Sequence, residues 1–280
     1  MKLLWNFPRE LWPKLVEARL SKYGSIIGEL PTPHSTVFTF DRGSQSAPRY
    51  IVAKGIQVSE AMPSRERRNY LSRALYEVNN AYAVCHHPSI HRFFHLELVY
   101  GVPFLLSRKR EATLRDVVDD GPLPESEIIS IAVQIVHALN YCASRGLVCH
   151  QDLKPENVFV DFMPAEHPLR HRALIADFEL ANAYLILRRP YGSRPYMAPE
   201  QYHRHGNAES IPDFSRVDVF ALGVILYEML TGGIHPVGEI ISTIWPTPAQ
   251  GKSRKWLRED PWKQLDLPRF SGRVEALSLT

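Results

Sequence analysis

The chain has 280 residues, 45% of them hydrophobic and 22% charged, with a formal net charge of +3, a composition that lets a globular protein build its own core. Three widely spaced cysteines, Cys85, Cys142 and Cys149, exclude a disulfide framework and suggest reduced thiols in a cytoplasmic setting. No run approaches the roughly 18 apolar residues of a membrane span, and the opening M-K-L-L-W-N-F-P-R-E has too short an apolar run for a signal peptide. So mild a positive charge makes no case for nucleic acid, and the basic stretch Lys252–Trp256 reads as a solvated face.

In chain order, residues 8–22 place Leu11, Leu15, Val16 and Leu20 at helical spacing and predict a short amphipathic helix. From 24 to 57 the texture becomes strand-like. S-T-V-F-T-F and R-Y-I-V-A-K-G-I are β-branched or aromatic runs, separated by the turn-rich D-R-G-S-Q-S-A-P. A helix is expected over about 64–84, with Leu71, Leu75, Val78 and Ala81 on one face. Two strands near 93–100 and 102–107 meet at Gly-Val-Pro. After Gly121-Pro122 the chain turns helical. Residues 125–145 carry an apolar face from Ile128 and Ile131 through Ile135, Leu139 and Cys142, closed by Gly146, and residues 216–232 form a second, very apolar helix. Strands first and helices afterwards imply an α+β protein in two parts.

The chemistry is concentrated in V-C-H-Q-D-L-K-P-E-N-V-F-V-D at 148–161. A carboxylate, a lysine two residues on and an amide five residues on lie between short apolar strands, and Pro155 stiffens the loop that carries them. Phosphoryl transfer asks for an oriented acceptor hydroxyl, held metal ions and neutralised charge. Asp152 can take a hydroxyl proton, Lys154 can neutralise a moving phosphoryl group, and Asn157 can ligate a metal. Such an oxygen-rich site suits magnesium better than zinc.

This segment resembles the catalytic loop of eukaryotic-like serine/threonine protein kinases, and the resemblance continues in register over about residues 24–240. L-I-A-D-F-E at 174–179 is similar to the metal-binding D-F-G, which implies Asp177 as a magnesium ligand. G-S-R-P-Y-M-A-P-E at 192–200 is similar to the end of the activation segment. Asp218, opening the apolar helix, implies a bond to the backbone of the catalytic loop. I-V-A-K at 51–54 resembles the strand whose lysine holds the ATP α- and β-phosphates, so Lys54 is expected to bind nucleotide. Glu77 is its natural ion-pair partner, although Glu60 and Glu97 lie in the same part of the chain. His150 and Phe178 have packing roles in this family, and Glu200 pairs there with an arginine, for which Arg269 and Arg273 are the candidates.

The resemblance implies a bilobal fold: a helical extension over 1–22, a β-rich small lobe with one helix over 23–107, and a mainly helical lobe over 108–280. It also implies transfer of the ATP γ-phosphoryl group to serine or threonine of a protein substrate. Four departures stand against a simple transfer of roles. The phosphate-cradling stretch Ile27–His34 keeps one candidate glycine, Gly28, and adds Pro31 and Pro33, which remove donors. Thr32, Ser35 or Thr36 are candidate substitutes. Gln151 replaces the arginine that reads an activation-segment phosphate; Tyr184, Tyr191 and Ser193 are hydroxyl residues of the segment, and Arg188 and Arg189 are the candidate basic groups to read a phosphate there. Glu179 replaces the glycine of D-F-G. The chain after about 240 is divergent or shortened. The alternatives are a pseudokinase scaffold, favoured by the degenerate loop and Glu179 but opposed by the intact Lys54, Asp152, Asn157 and Asp177, and a small-molecule kinase, disfavoured by M-A-P-E and Asp218.

Overall fold

The computed structural model describes residues 3–32, 35–56, 63–184, 192–202 and 215–238. Tyr191, Arg188, Arg189, the Lys252–Trp256 stretch, Arg269, Arg273 and the segment after 240 lie outside these residues. The chain forms two compact units, one of residues 1–86 and 91–110, the other of residues 87–90 and 111–280. The fold class is α+β.

The first unit is built on a five-stranded antiparallel sheet. Its strands are β1 (Ser25–Pro31), β2 (Ser35–Asp41), β3 (Tyr50–Ile56), β4 (Phe93–Val99) and β5 (Val102–Arg108), in the spatial order β1-β2-β3-β5-β4. Alternation along a strand sends successive side chains to opposite faces. In β3 this buries Ile51 and Ala53 in a core with Phe38, Phe40, Phe104 and Leu106. The N-terminal helix α1 (Trp12–Leu20) and the short turn before it close the same core with Leu4, Trp5, Trp12, Val16 and Leu20. Gly55 is needed where it stands, because a Cβ there would meet the Phe104 ring at 2.4 Å.

Helix α2 (Ser64–Val84) forms where the sequence places it, but its buried face differs from the expected stripe. Leu75 is 59% exposed, whereas Ala74, Glu77, Ala81 and Val84 are buried. The rotation sets Glu77 on the inward face. Leu11 is likewise exposed, and Trp12 takes the inward position in α1.

The second unit has a three-stranded sheet of β6 (Ala112–Thr113), β7 (Val158–Phe162) and β8 (His171–Ile175). It also carries the helices α3 (Leu114–Asp119), α4 (Glu125–Ser144) and α5 (Val217–Thr231). Thr113 caps α3 by accepting from the Asp116 amide, and the Asp116 carboxylate bonds back to Thr113. In α4, Ile128, Ile131, Ile135, Ala138 and Cys142 are buried at the predicted helical spacing. Helix α5 buries Val217, Asp218, Ala221, Leu222, Val224, Ile225, Tyr227, Glu228 and Met229, while Val219 and Leu230 are exposed on its other face.

Candidate active site

In the first unit, β3 pairs Lys54 with Val37 of β2 and Leu105 of β5. Lys54 lies on the sheet face opposite Ile51 and Ala53. There the Lys54 Nζ donates to Glu77 Oε1 at 2.7 Å. The Glu77 side chain is only 6% exposed, so the rotated face of α2 is what delivers it. Glu97 instead accepts from the Tyr23 hydroxyl at 2.6 Å and pairs with Lys22, and Glu60 lies outside the described residues.

Gly28 stands inside β1 opposite Thr39, beside a register shift, and not at the hairpin turn. A Cβ at this position would make ordinary contacts at 3.8 Å, so the strand has no steric need of glycine. Thr32 and Ser35 close the turn: the Thr32 amide donates to the Ser35 carbonyl at 2.8 Å, and the Ser35 amide donates to Thr32 Oγ1 at 2.9 Å. Thr36 Oγ1 accepts from Arg9, which also pairs with Glu29. Of the hydroxyls expected to replace the missing glycines, two are thus committed to the turn and one to the N-terminal segment.

The second unit gathers the remaining predicted residues around one loop. Asp218, at the start of α5, accepts the His150 amide at 2.6 Å and the Gln151 amide at 3.0 Å. Burial pushes its carboxyl above the usual carboxylate range, and His150 and the two amides pull the other way. His150 donates from Nε2 to the Ala176 carbonyl at 2.9 Å and meets the buried Phe178 ring edge-on, the packing roles expected of both. Asp152 accepts the Ser193 amide at Oδ1 (2.6 Å); its Oδ2 receives Lys154 Nζ at 3.0 Å and Asn157 Nδ2 at 3.2 Å. Lys154 also donates to Ser193 Oγ at 2.7 Å. Asn157 donates to the Asp152 carbonyl at 2.8 Å, and its own carbonyl accepts the Ala176 amide at 2.9 Å. Asp177 follows directly, in a left-handed conformation (φ 65°) uncommon outside glycine.

Gln151 is 4% exposed. Its Oε1 accepts the Tyr184 amide at 2.9 Å, and its carbonyl accepts Gln201 Nε2 at 3.4 Å. Asn182 reinforces the join: it exchanges bonds with the Cys149 backbone and donates Nδ2 to the Gly146 carbonyl at 2.7 Å. Asn182, Tyr184 and Gln201 are therefore attached to the loop that carries Asp152 by neutral amides, and Ser193 by the Asp152 carboxylate and the Lys154 ammonium.

Sequence reasoning missed a buried ionic group on α3 and α5. Glu228 is 2% exposed and receives Arg115 Nη2 at 3.1 Å and the Tyr196 hydroxyl at 2.9 Å. Arg115 Nε also donates to Glu156 at 3.0 Å. Burial pushes the carboxyl of Glu228 up, opposed by Arg115 and Tyr196; burial and the carboxylate push the Tyr196 phenol up as well. No local sequence pattern marks this group, whose members are up to 113 residues apart.

A family model described as protein kinase domain matches residues 41–242. Among curated proteins, the chain is similar to the serine/threonine-protein kinase PknB of Mycobacterium leprae, 31% identical over 66% of this chain and 29% of that protein. It is 38% identical to the sperm motility kinase Z of Mus musculus, over 46% of this chain and 24% of that one. It is also 38% identical to the probable serine/threonine-protein kinase KCC4 of Saccharomyces cerevisiae, over 41% of this chain and 10% of the relative. The matched segment spans less than a third of each relative's own length. Among the described residues, no helix is long and apolar enough to cross a membrane.

Proposed function

The chain belongs to the eukaryotic-like serine/threonine protein kinase family, and on that premise we propose that it transfers the γ-phosphoryl group of ATP, with magnesium, to serine or threonine hydroxyls of protein substrates. The setting of Asp152 carries this reading. One carboxylate oxygen is tied to the Ser193 amide and the other faces Lys154 and Asn157, so the group has a fixed direction. Asp152 takes the proton of the acceptor hydroxyl and aims its oxygen. Lys154, bridging Asp152 and Ser193, neutralises charge on the phosphoryl group in flight. Lys54, its direction fixed by Glu77, offers its ammonium to the nucleotide phosphates.

Asn157 and Asp177 fit a magnesium ion as hard oxygen donors, on two segments joined by the bond from the Ala176 amide to the Asn157 carbonyl. When bound, the ion supplies neutralisation of phosphate charge. Gly28, inside β1 opposite Thr39, keeps its part in this reading as a backbone contact to the nucleotide phosphates. The free cysteines Cys85, Cys142 and Cys149 support a cytoplasmic location.

The test is incubation with labelled ATP and a generic basic protein, with magnesium and with manganese, beside the Asp152→Asn variant. Label should enter the protein substrate with the wild type and fall to background with the variant. A wild type inert across several peptide and protein substrates would sink the proposal and leave a scaffold that has kept the fold.

A further inference from the structure

His235 is a buried histidine that the proposed chemistry leaves unused. Helix α5 ends at Thr231, and the chain then turns through Gly232 and Gly233, with φ of 68° and 80°. A Cβ would meet Pro122 at 2.9 Å in the first case and the Asp119 carboxylate at 2.8 Å in the second, so this reversal needs glycine at both positions. It carries His235 inward, to 4% exposure.

Both ring nitrogens are engaged there. Nε2 lies 2.9 Å from the Pro195 carbonyl, which can only accept, and the Val237 amide donates to Nδ1 at 3.3 Å. These partners define the neutral tautomer with its proton on Nε2. Burial holds the imidazole down at about 4, so the ring keeps that form at neutral pH. Its edge also meets the Tyr196 ring, with centroids 5.9 Å apart at 86°.

Pro195 and Tyr196 belong to a single turn of 3-10 helix, Arg194–Tyr196, entered from Ser193. The Tyr196 amide closes it on the Ser193 carbonyl at 2.9 Å. Ser193 is the residue whose amide holds Asp152 and whose hydroxyl receives Lys154. Tyr196 is held at its far end by Glu228, from α5 itself. The turn is therefore gripped at the Tyr196 hydroxyl and at the Pro195 carbonyl.

We propose that His235 is a positioning residue for phosphoryl transfer, fixing through the Pro195 carbonyl and the Tyr196 ring the turn from which Ser193 orients Asp152 and Lys154. The inference rests on the kinase reading above.

The test compares His235→Gln with His235→Asn. The glutamine amide reaches as far as Nε2 and restores the donor to Pro195; the asparagine amide reaches only as far as Nδ1 and restores the contact with Val237 alone. The expected result is that Asn lowers kcat/KM for the protein substrate on the order of ten-fold, as loss of one buried hydrogen bond implies. Gln should stay within about two-fold of the wild type, and the KM for ATP should be the same in all three proteins. Amide hydrogen exchange of the 194–198 backbone should quicken in Asn and not in Gln. Equal kinetics and equal exchange in the two variants, whether both resemble the wild type or both are impaired, overturn the proposal. Inactivity of the wild type would instead defeat the kinase reading, and the exchange comparison still decides whether His235 holds the turn.

Discussion

The Gln151 side-chain oxygen accepts the backbone amide of Tyr184, at 2.9 Å, in the place where an arginine would read a phosphate. The Gln151 carbonyl meets Gln201 Nε2 at the far end of the same segment. One neutral residue thus touches both ends, and the Tyr184 ring is itself 92% buried, at 8% exposure. Activity should accordingly be independent of phosphorylation in this segment. Enzyme treated with phosphatase should keep its rate, as should the Tyr184→Phe, Tyr191→Phe double variant. A large loss in either would show that a phosphate is read there after all. Gln151→Leu, which abolishes the bond to Tyr184, should slow turnover several-fold, since one hydrogen bond to a buried group is worth about 1 kcal/mol.

Nucleotide binding should require both Lys54 and a divalent metal. Lys54 is held by a buried glutamate at 2.7 Å, and a ligand that binds only the folded state raises its apparent melting temperature. A thermal-shift titration with ATP and magnesium should show stabilisation that disappears with a chelator and in Lys54→Met. Glu77→Gln should weaken the shift without abolishing it. An undiminished shift in Lys54→Met would remove Lys54 from the nucleotide site.

Asp152 and Asp177 should separate chemistry from binding. Asp152→Asn removes a proton acceptor and should lower kcat on the order of 10²–10⁴-fold with nearly unchanged ATP affinity. Asp177→Ala removes a metal ligand and should weaken metal-dependent nucleotide binding as well as turnover. Glu179→Gly should preserve or raise activity. If Asp152→Asn and Asp177→Ala lose ATP affinity equally, the division of roles is wrong.

The fold should lose stability on mild acidification through His91. Its Nε2 lies 2.9 Å from Ser107 Oγ, and Arg110 Nε donates to Nδ1 at 3.3 Å. Burial holds the imidazole down at about 3 instead of 6.5, with Arg110 and then Lys54 acting in the same direction. The unfolded chain takes up this proton near 6.5 and the folded chain does not. Unfolding free energy should therefore fall with pH from about 6.5 toward 3, and be insensitive to this group above that range. His235 acts in the same sense down to about 4. Melting temperatures from pH 7 to pH 5 should decline less steeply for His91→Gln than for the wild type; parallel declines would refute the assignment.

What the sequence made legible was whatever is encoded locally. Lys54, Asp152, Lys154, Asn157 and Asp177 sit in short runs whose order and spacing carry the family resemblance. Leu75 misled because it completes a helical stripe with Leu71, Val78 and Ala81; of these Ala81 is buried, but packing turns inward a face with Ala74, Glu77 and Val84, which includes a charge. The hairpin after Gly28 turns on the hydroxyls of Thr32 and Ser35, which the search for glycines did not single out as its closing pair. The ties of Gln151 to Gln201, Arg115 to Glu228 and His235 to Pro195 join residues 40 to 113 positions apart. Separations of that size leave no periodicity to read.

The N-terminal helix bears on where this domain can be cut. The family match begins at residue 41, yet Leu4, Val16 and Leu20 are fully buried in the same core as Phe38, Phe40 and Ile51. At about 1.5–3 kcal/mol for each such side chain, these three contribute roughly 5–9 kcal/mol, comparable with the whole stability of an ordinary domain. Trp5 and Trp12 add to that. A recombinant fragment trimmed to the matched residues would expose an oily sheet face to water and aggregate before its activity could be assayed. The practical beginning of this catalytic domain is at or before Leu4, well ahead of where family likeness places it.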